Sequence, residues 1–280
     1  MTILVTGATG TVGRRVVEQL LAAGQEVRAL TTRDPSVVDM PKEAHVVQGD
    51  LTRPGTLTAA LEGVEGVHLF SEVAKAAEEF VHLAQNAGVR RVVVFSSQAV
   101  AHPRDFAMFS VAYHTAVERA VERADFEWTI LRPTGFAANT LEWASSIREE
   151  GVVRTPYPNA AQALIHEADI AAVAVKALTE NGHAEQKYLL TGPEPINKID
   201  QVKAIGGAIG RDIRFETLSP VQWRTFMVPY AGELVADMML GHWAEADTEP
   251  EAVDPTLERV LGRPARTFAQ WALDHRSDFS

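Results

Sequence analysis

The chain has 280 residues, 46% of them hydrophobic, enough to build one large α/β domain or one domain carrying a smaller lobe. It contains no cysteine, which excludes disulfide scaffolds, thiolate metal sites and cysteine nucleophiles. Lys and Arg total 26 against 37 Asp and Glu, and the formal charge of −11 repels nucleic acid and anionic membranes while leaving room for a local basic pocket.

No apolar run approaches the roughly 18 residues that cross a bilayer. The start, Met1 to Gly7, lacks the basic region and cleavage site of a signal peptide, so a soluble cytoplasmic protein is expected. In chain order, residues 3–6 read as a strand and 11–23 as a helix with Val12, Val16, Leu20 and Leu21 on one face. Strands follow at 27–31 and 45–48, a short helix at 57–61, a strand at 67–70 and a helix at 74–86 closed by Gly88. Residues 91–96 hold an unbroken apolar run, Val92 to Phe95, that suits a strand covered on both faces. A helix at 111–123 and a strand at 128–131 complete a repeated strand–helix–strand pattern, which implies a parallel sheet with right-handed crossovers.

Beyond Pro133 the pattern loosens. Helices are expected at 140–150, 169–178, 199–209 and 220–243, and extended segments at 152–154, 188–191 and 213–216. The acidic, proline-bearing stretch 246–255 is the one linker-like patch.

Gly7-Ala8-Thr9-Gly10-Thr11-Val12-Gly13 falls between the first strand and the first helix. Glycines there permit a sharp turn, a close approach of backbone to a pyrophosphate, and tight helix–strand packing, with the helix N-terminus facing the negative charge. The spacing is Gly-x2-Gly-x2-Gly, and a purely structural turn uses the same residues. The flanking strand and helix favour dinucleotide binding. At the end of the second strand an NAD-preferring site carries an acid for the ribose hydroxyls. This chain has Thr31, Thr32 and Arg33 instead, so Arg33, helped by Arg14, suits a 2′-phosphate, and NADP(H) is expected over NAD(H). The alternative leaves both arginines as surface charges near Asp34. Asp50, with Leu51 beside it, falls either near the adenine amino group or at a helix cap.

These motifs, with the run Trp128 to Pro133, Leu190 to Pro193 and the closing Gly262 to Phe268, resemble the NmrA-like, atypical short-chain dehydrogenase/reductase family over nearly the whole chain. Its members include NAD(P)H:quinone oxidoreductases. The resemblance implies a Rossmann-type doubly wound parallel sheet with a small mixed α/β C-terminal substrate lobe. Residues 1–133 would form the cofactor-binding core, and 134–280 mostly the lobe, with segments returning to the core. The aromatic and Met-rich stretch from Trp223 to Trp243 would be lobe core or pocket wall.

The Tyr-x3-Lys pair of short-chain dehydrogenases is absent, because Tyr113 is followed four residues later by Val117. Many NmrA-like reductases carry a Lys at the position of His114, followed by a Glu that corresponds to Glu118, and quinone-reductase-type members resemble this sequence in having His. His114 would donate a proton or bond the nicotinamide; otherwise it is a helix-surface residue paired with Glu118. Tyr113 is the second catalytic candidate.

Ser96, Ser97 and Gln98 end the fifth strand at the carboxyl edge, where open α/β sheets bind ligands, or else serve only as turn residues. By fold-level placement Ser71 and Glu72 border the cofactor, and Thr134, Gly135, Phe136 and Asn139 border the substrate, with Trp223 another candidate contact. His166-Glu167-Ala168-Asp169 lacks the second His that a helical zinc site needs, and is read as structural with Asp169 as a cap; no metal is expected. No Gly-x-Ser-x-Gly elbow is present, which argues against a hydrolase.

The expected activity is NADPH-dependent hydride transfer to a flat apolar quinone, enone or carbonyl. A cofactor-ratio sensor without turnover and a non-redox cyclase or isomerase on the same fold are the alternatives. The expected partner is a small aromatic or quinone-like molecule, with no nucleic acid or membrane, in a monomer or homodimer.

Overall fold

A computed structural model describes residues 1–70 and 74–280. The strands are β1 Thr2–Val5, β2 Glu26–Thr31, β3 His45–Gln48, β4 Gly66–Leu69, β5 Arg91–Phe95, β6 Glu127–Pro133, β7 Val152–Thr155, β8 Gln186–Leu190 and β9 Arg214–Thr217. The helices are α1 Thr11–Ala22, α2 Thr58–Leu61, α3 Ala74–Asn86, α4 Met108–Glu122, α5 Ala144–Glu150, α6 Glu167–Thr179, α7 Lys198–Ile209, α8 Pro220–Ala231, α9 Glu233–Thr248, α10 Thr256–Leu261 and α11 Phe268–Asp274.

Seven strands form a parallel sheet in the order β3-β2-β1-β4-β5-β6-β8. The order reverses between β1 and β4, and the crevice at the carboxyl ends of those strands is where a doubly wound sheet takes its ligand. Both faces are covered. Val5, Val93 and Leu131 pack with Val16 and Leu20 of α1 and Ile170 and Ala174 of α6. Leu4, Val67 and Val94 pack on the opposite side with Phe80 of α3 and Val117 and Val121 of α4. This double burial accounts for the unbroken apolar run of β5.

Apart from α6, β8 and α10, which pack with the sheet, most residues after Pro133 build a lobe over the carboxyl end of the sheet. Its strands β7 and β9 pair in parallel. Two apolar clusters fill it, one around Trp143, Ile147, Ile205 and Trp271, the other around Trp223, Ala236 and Trp243. No helix among the described residues is long and apolar enough to cross a membrane.

Three expectations need correction. The single helix at 220–243 is two, broken at Gly232 (φ 79°) just after Pro229, where the chain takes a conformation that side chains rarely adopt. Residues 137–143 form a 3-10 segment, so α5 starts only at Ala144. The stretch 246–255 is no linker. It finishes α9, then the Glu251 carboxylate accepts the N–H of Ala163 at 2.9 Å and Asp254 caps Thr256 at 2.8 Å.

The segment from His166 to Asp169 fastens the C-terminus to α6. His166 is the N-cap, with its Nδ1 accepting from the N–H of Ala168. Asp169 is not the cap. Fully buried, it accepts from the Arg263 guanidinium at 2.7 Å, from the backbone N–H of Arg266 at 2.7 Å and from the Arg266 guanidinium. Glu167 accepts from the indole of Trp271 at 3.1 Å and meets His275 at 2.7 Å, and the other ring nitrogen of His275 meets Asp278 at 2.8 Å.

Burial opposes charge at Glu167, but the contacts with His166 and His275 outweigh it and hold the carboxyl well below its usual range. Burial likewise opposes charge at His275, and its two carboxylate partners outweigh that and raise its pKa above 6.5. A raised histidine contributes stability below its unfolded pKa and loses it as pH rises through the folded one; a depressed carboxyl loses it as pH falls. The network is therefore most stabilising between about 4.5 and 6.5. His275→Gln should cost about 1 kcal/mol at about pH 6, and the deficit should shrink as pH rises through the raised pKa of His275. Thermal unfolding of both proteins across that range checks the trend; a constant gap would remove the charge on His275 from the explanation.

Candidate active site

The loop between β1 and α1 is built on close backbone approach. Gly7 has φ 61°, and a Cβ on Gly13 would lie 2.1 Å from the carbonyl oxygen of Gly7, which no side chain permits. Gly10 donates its N–H to that same oxygen at 2.9 Å and heads α1 without a side-chain cap. The first turn of α1 carries no acid, so the free N–H groups of Thr11, Val12 and Gly13 meet no competing charge. The cradle fits a pyrophosphate, while the Val12 side chain itself sits in the core.

Beside it lies a cavity of about 330 Å³ lined by Gly7, Thr9, Thr32, Arg33, Asp50 and Leu51, so six of the expected cofactor residues come together. Arg14 is elsewhere: it binds the carbonyl and carboxylate of Asp39. Asp50 uses one carboxylate oxygen to hold the N–H and hydroxyl of Thr52, at 2.8 and 2.7 Å, and these bonds keep its carboxyl below the ordinary value. Ser71 and Glu72 lie outside the described residues.

A second cavity, of about 350 Å³, opens at the carboxyl ends of β5 and β6, and Phe70 lines both. Its walls are mainly aromatic and thioether: Phe95 and Phe136 (centroids 5.9 Å apart), Tyr113, Trp143, Trp243, Met238 and Met239. Ser96, Ser97, Gln98, His114, Thr134 and Asn139 also line it. Trp223 does not. It is buried behind Trp243, edge to face at 4.7 Å, in the core of the lobe.

Several of these polar groups are already committed. Ser97 caps the following turn by accepting from the N–H of Ala99, and the Thr134 hydroxyl donates to the Ala163 carbonyl at 2.8 Å. Ser96 donates to Glu118 at 2.5 Å. The same carboxylate takes two bonds from Arg132, at 2.9 and 2.5 Å, and is itself buried.

His114 is consequently not a helix-surface residue paired with Glu118. It is buried, its ring lies 4.1 Å from that of Tyr113, and Glu118 acts on it only through its charge. Burial pushes the imidazole down to about 4 despite that carboxylate, so His114 is neutral at pH 7 and offers an N–H rather than a proton from a cation.

Several lining residues were not singled out from the sequence, among them four that are large or titratable. Trp143 and Glu142 come from the 3-10 segment, Lys198 opens α7 and His242 belongs to α9. Lys198 is almost wholly buried, donates to Thr155 Oγ1 and the Pro156 carbonyl at 2.9 Å each, and lies 3.2 Å above the Trp243 ring.

Comparison with known proteins agrees with this geometry. Residues 7–181 match the model of a family described as NAD(P)H-binding. The chain belongs to that family. NAD(P)H is thus the cofactor class of this chain. The chain is 38% identical to the (4-alkanoyl-5-oxo-2,5-dihydrofuran-3-yl)methyl phosphate reductase of Streptomyces griseus, across 99% of each chain. It is 33% identical to the NAD(P)H azoreductase of Xenophilus azovorans, again across 99% of each. Among solved structures, the NADPH complex of an Escherichia coli quinone oxidoreductase superposes with a TM-score of 0.78, covering 96% of this chain and 98% of the other at 24% identity. That likeness speaks for the fold, a Rossmann-type α/β sheet.

Gly13→Ala should weaken NADPH binding by 100-fold or more, because the added methyl must displace the Gly7 carbonyl that shapes the cradle, a disturbance on the order of 3 kcal/mol. Cofactor titration by fluorescence checks it, with circular dichroism to establish that the variant is folded.

Proposed function

We propose that this protein is an NADPH-dependent reductase of flat, apolar acceptors: quinones, enones or related conjugated carbonyls. The observation that carries the reading is the aromatic cavity adjoining the dinucleotide cradle at Phe70, at the sheet edge where the nicotinamide end would reach. The names of the two relatives above, a reductase of an oxo-dihydrofuran and an azoreductase, support it, since both act on conjugated planar groups.

In this reading residues 1–133 hold the cofactor and most of 134–280 shapes the acceptor site. NADPH supplies hydride when bound. The chain's own contribution is largely placement, with Phe95, Phe136 and Trp243 holding the acceptor ring in a water-poor slot. Neutral His114 bonds the acceptor or the carboxamide, and Tyr113 stacks beside it. Two oxygens of a reduced quinone can take protons from water, which suits a site without the Tyr–Lys pair. The protein would work in the cytoplasm as a monomer or homodimer.

Preference for NADPH over NADH rests on Arg33 and Thr32 at the adenine end, where an NAD site carries an acid. Arg33→Ala should weaken NADPH about 10- to 100-fold with little change for NADH, the loss of a charge-assisted phosphate contact worth about 1.5–3 kcal/mol. Equal losses would sink the specificity argument.

The decisive assay follows the loss of NADPH absorbance with a panel of quinones and enones. Turnover with NADPH preferred is the expected result; tight cofactor binding with no turnover on any acceptor would mark a sensor instead. His114→Ala should lower turnover about tenfold, the worth of one hydrogen bond of about 1.4 kcal/mol, and leave cofactor affinity unchanged.

A further inference from the structure

The 3-10 segment Ala137–Trp143 follows β6 and lines the aromatic cavity through Asn139, Thr140, Glu142 and Trp143. Glu142 is on its exposed side and lines that cavity, while Trp143 next to it turns into the core. Across the cavity floor the Lys198 ammonium is fixed by Thr155, Pro156 and the Trp243 face. Lys198 opens α7, where the helix dipole and its own burial both disfavour a positive charge. A carboxyl and an amine thus share one apolar chamber, and neither has a place in the chemistry derived above.

We propose that Glu142 is the proton-bearing donor of this site: its carboxylic acid gives a hydrogen bond to the carbonyl oxygen of the bound acceptor and, in turnover, its proton. The proposal rests on the reductase reading for its second half only. In that step the Glu142 O–H bond breaks and an O–H bond forms on the acceptor oxygen, as hydride from the dihydronicotinamide reduces the conjugated carbon. The π pair moves to oxygen, and the carboxylate left behind is reprotonated by water from the cavity mouth.

The electrostatics agree with the geometry. Desolvation raises the Glu142 carboxyl to about 7 against the opposing pull of Lys198 and a hydrogen bond from Trp143. Lys198 is pushed down to about 6 by burial, in spite of Glu142 and Asp247. The other groups that face this chamber are His114 and Tyr113 from α4 and His242 from α9, the last backed by Glu245 and Arg104. Burial holds His114 down to about 4, so it stays neutral over the range in which Glu142 ionises, and burial lowers His242 from its ordinary value.

The test needs no turnover. A naphthoquinone is titrated into protein saturated with NADP+, from which no hydride can pass, and quenching of the cavity tryptophans Trp143 and Trp243 reports binding. Wild-type affinity should fall about tenfold between about pH 6 and pH 8 as the carboxyl loses its proton. Glu142→Gln, whose amide donates at every pH, should bind with no such transition, and His242→Gln should keep it. A flat wild-type profile, a transition that survives in Glu142→Gln, or one that disappears in His242→Gln overturns the proposal.

Turnover gives the second arm. Glu142→Gln should lower kcat on an enone about 100-fold and on a quinone only slightly, since reduced quinones find protons in water. Equal effects on both acceptors overturn the proton-transfer step. A wild-type protein inert towards every acceptor defeats the reductase reading and the transfer step with it, while the binding titration still decides whether Glu142 is the hydrogen-bond donor.

Discussion

The Glu118 carboxylate is the constraint around which the site is arranged. It lies buried on α4 and is held by Ser96 at the end of β5 and by both arms of the Arg132 fork on β6. One side chain thereby fixes the register of two central strands against the helix that carries Tyr113 and His114. A buried pair of this kind contributes little net stability, because desolvation offsets most of the attraction, but removing one partner strands a charge. Its value is geometric: the carboxyl ends of β5 and β6 form the cavity floor, and their relative position sets the slot for an acceptor. The pair also governs charge. Because Arg132 neutralises Glu118, little field remains to hold a proton on His114, and burial wins.

Most of the fold was legible in the sequence because a parallel sheet buried on both faces writes its strands as apolar runs. Val92 to Phe95 and Ile3 to Val5 could hardly be read otherwise, and the glycine loop marked where the first strand meets the first helix. The lobe was harder. Its helices are short or broken, and the break at Gly232, signalled only by that glycine and by Pro229 three residues earlier, falls inside an otherwise apolar stretch of helical character. The helices α10 and α11 have six and seven residues, too few for a helical period to stand out.

The site divides the same way. Local motifs nominated the candidate cofactor residues, since a cradle and its helix are neighbours in sequence. Glu142, Lys198 and His242 sit on three unrelated elements and share no spacing that a motif could express; only the packing of α7 and α9 over the sheet edge brings them to one cavity. Trp223 shows the converse. It belongs to the aromatic stretch expected to supply lobe core or pocket wall, yet Trp243 stands between it and the cavity. Composition could nominate the stretch, but not the side of the helix that faces the ligand.

The cavity is neutral by construction, and that narrows what it can hold. Burial keeps His114 deprotonated and lowers His242, the same cause raises Glu142 to about 7, and Glu118 is cancelled by Arg132. Lys198, pushed down to about 6 by burial, places its amino nitrogen against an indole and two oxygens of the protein instead of pointing a free charge into the chamber. A ligand whose reacting part is charged would have to shed its hydration without gaining a counter-ion. A flat, neutral conjugated ring gives up little on entering and meets aromatic and thioether surface on several sides. The electron-accepting group of such a ring is where negative charge develops, and a slot that is dry and uncharged before reaction makes each donor at its edge more effective when that charge appears.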